Sequence, residues 1–203
     1  MLQRSAPRLI LASASLSRRS LLAAAGLRFE AVPAQVDEAK VKRAAWADGM
    51  SAADTVLALA DLKAALVAGC NPTALVIGAD QILVCDGVWF DKPADQAAAR
   101  AQLGALRGKA HTLATGVVCH HGGAQVWHHL AEPRLEMRQF SDEFLEAYLA
   151  GEGEAVTSTV GAYRLEGRGV HLFERVDGDH SAILGLPLLP LLGFLRQYGT
   201  LIG

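Results

Sequence analysis

The chain has 203 residues, a length that suits one α/β domain with two lobes and a cleft between them. Hydrophobic residues make up 51% and charged residues 20%, which excludes a disordered chain and leaves ample aliphatic material for a core. The formal net charge of −2 argues against a non-specific nucleic-acid binder, so an anionic ligand would need a local basic cluster.

In chain order, Leu9 to Ala12 reads as a short buried strand and Ser13 to Ser17 as a polar turn. A helix from Arg18 to Ala25 is expected to stop at Gly26. Phe29 to Val36 reads as extended. Ser51 to Ala68 is an Ala/Leu-rich helix, with Ser51 and Asp54 as a capping pair. Leu75 to Asp80 is a buried strand ending on an acid, and Gln81 to Cys85 continues it to a turn at Asp86-Gly87. Asp95 to Leu106 is a further helix. Strands are expected over His111 to His120 and Gln125 to Leu135, joined at Gly122-Gly123. Ser141 caps a helix to Ala150, and a Gly-rich stretch runs from Gly161 to Gly169. A strand from Val170 to Val176 and a helix from Leu188 to Tyr198 close the chain. Alternating elements followed by hairpins predict a mixed sheet with flanking helices.

Cys70, Cys85 and Cys119 form no Cys-x-x-Cys pair, so they read as buried reduced thiols rather than disulfides or zinc ligands. The apolar run at Leu9 is too short for a signal peptide, and no segment is long enough to span a membrane. A cytoplasmic protein is expected.

Several places could carry chemistry. Ser13-x-Ser15-x-Ser17-Arg18-Arg19 lies between a strand and a helix, where free backbone N–H groups and arginines suit phosphate. Taken alone, it reads as a Ser-capped helix with solvated arginines. Asp37-Glu38 closes an extended run, and Asp80 ends a buried strand. Carboxylates of this kind suit magnesium or manganese rather than zinc. Asp37 and Glu38 are equally readable as solvated surface acids; Asp80, after four apolar residues and a glycine, is not. Lys63 and Lys92 are candidate phosphate contacts, and each alone reads as a surface lysine. Glu166 sits in the Gly-rich loop, which otherwise reads as a hairpin turn. His120-His121 and His128-His129 point to opposite strand faces and imply no compact metal site. Neither a P-loop nor a Gly-x-Ser-x-Gly elbow is present.

The order of these blocks is more telling than any one of them. Leu-Ile-Leu-Ala-Ser-x-Ser-x-x-Arg-Arg-x-Leu-Leu at Leu9 is similar to the opening signature of Maf proteins. Val36-Asp37-Glu38, Lys63, Gly78-Ala79-Asp80-Gln81, Asp91-Lys92-Pro93, Gly108-Lys109-Ala110-His111, Thr115-Gly116-Val117 and Gly185-Leu186-Pro187-Leu188 follow in the family's order. The resemblance spans nearly the whole chain as a single Maf-like domain, residues 1–203. It implies an elongated mixed α/β sheet with two lobes around a substrate cleft, often in a homodimer.

It also implies a nucleoside triphosphate pyrophosphatase that releases the monophosphate and pyrophosphate with Mg2+ or Mn2+, removing non-standard nucleotides. No nucleic acid or membrane partner is implied. Asp80 matches the family's catalytic acid/base and, with Glu38, its metal-lining carboxylates. Ser13, Arg18, Arg19, Lys63 and Lys92 match the phosphate-binding set. Ser17, Gln81 and Glu166 match the positions that set base selectivity. The dTTP/UTP branch typically has arginine, threonine and glutamine there; the 7-methyl-GTP branch has tryptophan, glutamine and glutamate. This chain agrees with the second branch at Gln81 and Glu166 and with neither at Ser17, and Leu16 replaces the usual proline. Leu172-Phe173-Glu174-Arg175 also resembles the 7-methyl-GTP branch. An ionised Glu166 only accepts hydrogen bonds, which suits the two adjacent donors of guanine. The alternatives are a dTTP/UTP-selective pyrophosphatase and a non-enzymatic regulator of septum formation, a role also associated with Maf proteins.

Overall fold

A computed structural model describes residues 2–203. The elements are β1 (Leu9–Leu11), α1 (Leu16–Ala24), β2 (Glu30–Ala31), α2 (Glu38–Ala47), α3 (Ala52–Gly69), β3 (Leu75–Cys85), β4 (Val88–Phe90), α4 (Gln96–Leu106), β5 (Ala110–His121), β6 (Ala124–Ala131), β7 (Arg134–Met137), α5 (Asp142–Glu152), β8 (Phe173–Asp177), α6 (His180–Ile183) and α7 (Leu188–Gln197). Three short 3-10 segments lie between α5 and β8. The strands form a mixed eight-stranded sheet, as the pattern of elements predicted. Among the described residues, no helix is long and apolar enough to cross a membrane.

The chain divides into two compact units. The first runs to Asp80 and resumes for Thr115–Ala131 and Gly185–Gly203; the second holds Gln81–Ala114 and Glu132–Leu184. In the first unit β1 pairs in parallel with β2 and with the start of β3, and β6 pairs antiparallel with the end of β5. In the second, β4 pairs with the end of β3, and β7 pairs with both the start of β5 and β8, all antiparallel.

Side chains alternate across a strand, and the first unit's core follows that rule. Leu9, Leu11, Leu75 and Ile77 pack on one face with Leu22 of α1 and Leu191, Phe194 and Leu195 of α7. Ile10 and Val76 face the other way, onto Ala64, Val67 and Ala68 of α3. Each fully buried Leu, Ile or Val contributes about 1.5–3 kcal/mol relative to exposure. Gly78 and Asp80 continue the alternation from Val76, so they share the face that meets α3. At Gly78 the approach leaves no room for a side chain: an added Cβ would overlap the carbonyl of Ala60 and lie 2.9 Å from the Cβ of Ala64. Gly116 of β5 meets the same helix, where a Cβ would lie 3.0 Å from the Val56 backbone.

The second unit has its own core of Leu83, Leu103, Leu106, Leu113, Leu135, Leu145, Tyr148, Tyr163 and Leu172. His111 is buried there, its Nε2 2.8 Å from the Tyr163 hydroxyl, and burial pushes its pKa down to about 4.

Polar N-caps start most of the helices. Ser51 accepts from the N–H of Asp54 at 3.0 Å and donates to its carboxylate at 2.6 Å. Asp95 and Ser141 accept from the N–H three residues on, at 2.7 and 3.1 Å.

Several expectations are corrected. Only Glu30–Ala31 of the extended run from Phe29 pairs as strand. Asp37 is not the end of an extended run alone; it caps an unexpected helix, α2. The expected strand from Gln125 to Leu135 is two strands, because Pro133 has no N–H to give the ladder. The strand expected from Val170 begins at Phe173, since Arg168–Leu172 is 3-10 helix. The Gly161 loop is not a simple hairpin turn, for Gly161 and Ala162 both take positive φ, at 78° and 60°. Cys70 is exposed, while Cys85 and Cys119 are buried thiols as expected.

The close approach at Gly78 predicts that Gly78→Val destabilises the protein by about 3 kcal/mol. The urea midpoint checks this, and a midpoint equal to wild type would show that α3 does not need the gap.

Candidate functional site

Asp80 continues the α3-facing row of β3 after Val76 and Gly78, and Lys63 projects from the row of α3 that includes Ala60, Ala64 and Val67. The helical spacing of three and four residues puts these side chains on one stripe. Lys63 is therefore not a surface lysine. It is 5% exposed, and its ammonium lies 2.6 Å from Asp80 Oδ1, itself on a residue 4% exposed. The same Nζ lies 2.7 Å from Glu38 Oε1. Glu38 occupies the first turn of α2, where Asp37 accepts from the Lys40 N–H at 2.9 Å and a negative charge suits the helix dipole.

Arg18 stands on α1 near this group. Its Nε donates to the carbonyl of Gly185 at 2.8 Å and its Nη1 to Ser13 Oγ at 3.3 Å. Ser13 is buried and also accepts from the Ser15 N–H at 3.2 Å. Burial lowers the pKa of Arg18, opposed by the charges of Asp80 and Glu38. For Glu38, burial is the largest single influence and raises its pKa. The charge and hydrogen bond of Lys63, with Lys42 and Arg18, together outweigh it and hold the carboxyl below its usual range.

The second oxygen of Asp80, Oδ2, is buried and has no hydrogen-bond partner. An orphaned buried acceptor costs about 1–3 kcal/mol, more when charged. A buried ion pair is also poor evidence of a stabilising device, because desolvation offsets much of its attraction. Both observations are accounted for if the site is built for something that meets Oδ2. Glu38 and Asp80 supply hard oxygen donors, and a divalent ion such as magnesium commonly takes one or two protein carboxylates plus substrate phosphates. The donor set fits. Among the described residues, no group of three or more His, Cys, Asp or Glu gathers for a metal.

Ser13, Arg18, Glu38, Lys63 and Asp80 thus come together in the first unit. Ser17 is half-buried on α1, and Arg19 is exposed on the same helix. Gln81, Lys92 and Glu166 belong to the second unit. Gln81 Nε2 donates to the carbonyls of Ala182 and Ile183 at 3.0 and 3.2 Å. Lys92 is exposed, and Glu166 Oε1 lies 3.6 Å from Arg164 Nε. His120 bonds Asp61 and His121 bonds Tyr198, each at 2.7 Å, in keeping with their opposite directions on β5.

Sequence reasoning missed the carbonyl of Gly185, which fixes Arg18. The signal was faint, since a backbone acceptor leaves no trace in residue type. Its one correlate in the sequence is the glycine itself, read there only as part of the Gly185-Leu186-Pro187-Leu188 block, which takes a positive φ of 98°.

The Maf-like protein family profile matches residues 8–198. The chain belongs to the Maf family. Its curated relatives include a nucleoside triphosphate pyrophosphatase of Granulibacter bethesdensis, 56% identical over 194 residues, covering 96% of this chain and 98% of the relative. A nucleoside triphosphate pyrophosphatase of Paramagnetospirillum magneticum is 52% identical, covering 95% and 100%. One of Rhodospirillum rubrum is 48% identical, covering 97% of each. The family read from the order of the motifs is therefore matched over residues 8–198.

The lowered pKa of Glu38 gives a pH prediction. Its stabilisation is fully present above the ordinary value of 4.5 and is lost as pH falls through the lower folded value. Glu38→Gln should flatten the fall of Tm with pH below 4.5. Identical slopes in the two proteins would show that Lys63 does not favour the Glu38 anion.

Proposed function

We propose that this Maf protein hydrolyses a nucleoside triphosphate to the monophosphate and pyrophosphate. The buried Lys63 between Asp80 and Glu38, with Asp80 Oδ2 unmet, is the observation that carries the reading. The names of relatives about half identical to this chain point the same way.

Asp80 Oδ2 accepts a proton from water as the water oxygen bonds to the α-phosphorus. The bridging bond to the β-phosphorus breaks, and pyrophosphate departs with the electron pair. Lys63 keeps Asp80 oriented through Oδ1, leaving Oδ2 for the water. Arg18, positioned by Ser13 and Gly185, offers its guanidinium to phosphate oxygens, with Arg19 and Lys92 as further cations. Glu38 and Asp80 would hold Mg2+ or Mn2+. A divalent ion bound there offsets charge on the triphosphate.

Ser17, Gln81 and Glu166 are proposed to set base selectivity. A carboxylate at position 166 accepts from the two adjacent donors of guanine and faces acceptors in uracil and thymine. The preferred substrate is then a guanine nucleotide such as 7-methyl-GTP. A cytoplasmic homodimer, acting as one Maf domain over residues 1–203, completes the proposal.

Pyrophosphate release from 7-methyl-GTP, GTP, dTTP, UTP and the other common triphosphates, with magnesium or manganese, tests it. Turnover should favour 7-methyl-GTP, and Asp80→Asn should lower kcat by about 100-fold or more. Preference for dTTP and UTP would keep the enzyme and overturn the base assignment. No turnover of any nucleotide would favour a regulatory role in septum formation.

A further inference from the structure

Four charged side chains gather where α5 ends and the Gly161 loop returns, all within the second unit. Glu152, the last residue of α5, has a side chain only 7% exposed, and its Oε2 is buried without a hydrogen-bond partner. Arg164 Nη1 lies 3.8 Å from that oxygen, while its Nε lies 3.6 Å from Glu166 Oε1. Arg168 Nη1 reaches Glu152 Oε1 at only 4.0 Å, being bonded to the Gly151 carbonyl. One guanidinium is therefore shared by two acids, one hidden and one accessible. Glu166 keeps a side chain 34% exposed.

Both contacts are longer than a hydrogen bond. Arg164 therefore offsets the charge of Glu166 without occupying its lone pairs. An arginine with a single acid partner tends to close on it as a bidentate fork, which uses both carboxylate oxygens. Glu152 opposes that closure, because Arg164 is the cation nearest its buried, unpartnered Oε2, while Arg168 is bonded to the Gly151 carbonyl and lies 4.0 Å from the other oxygen. The Arg164 backbone is itself pinned, since its carbonyl accepts from the Gly167 N–H at 3.1 Å and packs against Gly169, where an added Cβ would overlap it.

We propose that Glu152 is a positioning residue for base selectivity: it holds Arg164 back from Glu166 and so keeps the Glu166 carboxylate open to donors on the nucleobase. This rests on the reading of Glu166 as the base-facing acceptor. Glu152 touches no substrate; it acts through Arg164. The arrangement selects a ligand that presents adjacent N–H donors, the chemistry of a guanine edge, over one that presents acceptors.

The test compares kcat and KM for 7-methyl-GTP and UTP in wild type, Glu152→Gln, Arg164→Met, Glu152→Gln/Arg164→Met and Glu166→Gln. In Glu152→Gln, Arg164 closes on Glu166. The preference for 7-methyl-GTP should fall about tenfold or more, the scale of a charge-assisted hydrogen bond, through KM with kcat for UTP unchanged. Adding Arg164→Met should restore most of the preference, because the group that captures Glu166 is gone. A general loss of packing would lower kcat for both nucleotides and would not be reversed by a second substitution. Should Glu152→Gln fold poorly, Glu152→Met removes the same charge without a buried amide and takes its place. A fall in preference that Arg164→Met reverses supports the proposal, and an unchanged preference overturns it. Unchanged preference in Glu152→Gln, or a double variant no more selective than Glu152→Gln, also overturns it while leaving Glu166 as the reader. Unchanged preference in Glu166→Gln overturns the reading of Glu166 and this inference with it.

Discussion

Lys63 carries its ammonium into a place from which water has been removed, and the desolvation must be offset by the two carboxylates it touches. That geometry exists because α3 lies unusually close to β3. The absence of a side chain at Gly78 lets the backbone of Ala60 and the methyl of Ala64 approach the strand. Two residues further on, the same face of β3 presents Asp80, and from the same stripe of α3 comes Lys63. Gly78 and Asp80 of β3 and Lys63 of α3 therefore form one mechanical unit. Glu38 joins it from the first turn of α2, at a helix end that favours an anion.

Much of this was legible in sequence for identifiable reasons. Ser51, Asp95 and Ser141 announced their helices because cap chemistry is local. The apolar run from Leu75 announced a buried strand, and Asp86-Gly87 its turn, at φ values of 48° and 77°. Asp80 stood out because a carboxylate after such a run has nowhere comfortable to go. Lys63 was legible as a candidate cation but not as a buried one, since its burial depends on how closely α3 docks, which is a tertiary matter. Helix α2 was hidden by its sequence, whose polar and small residues give little periodic contrast. The segment after Gly161 was misread because 3-10 turns carry weak patterns and glycine permits many conformations. The order of the motifs supplied what propensity did not: the Maf family, which the match over residues 8–198 bears out.

Two charge clusters, one in each unit, differ in their spacing. In the first, Lys63 meets Asp80 and Glu38 at hydrogen-bond distance, and one oxygen of Asp80 stays buried without a partner. In the second, Glu152, Arg164 and Glu166 stand further apart, so that charge is balanced while lone pairs stay available.

In the proposed mechanism Lys63 organises Asp80 for hydrolysis. The most direct measurement is the kcat of Lys63→Met with a saturating nucleoside triphosphate and magnesium, its fold checked by circular dichroism. Loss of the orienting ion pair should lower kcat by about 100-fold or more, as removal of a group that preorganises a catalytic charge does. A folded Lys63→Met protein with wild-type kcat would contradict the account.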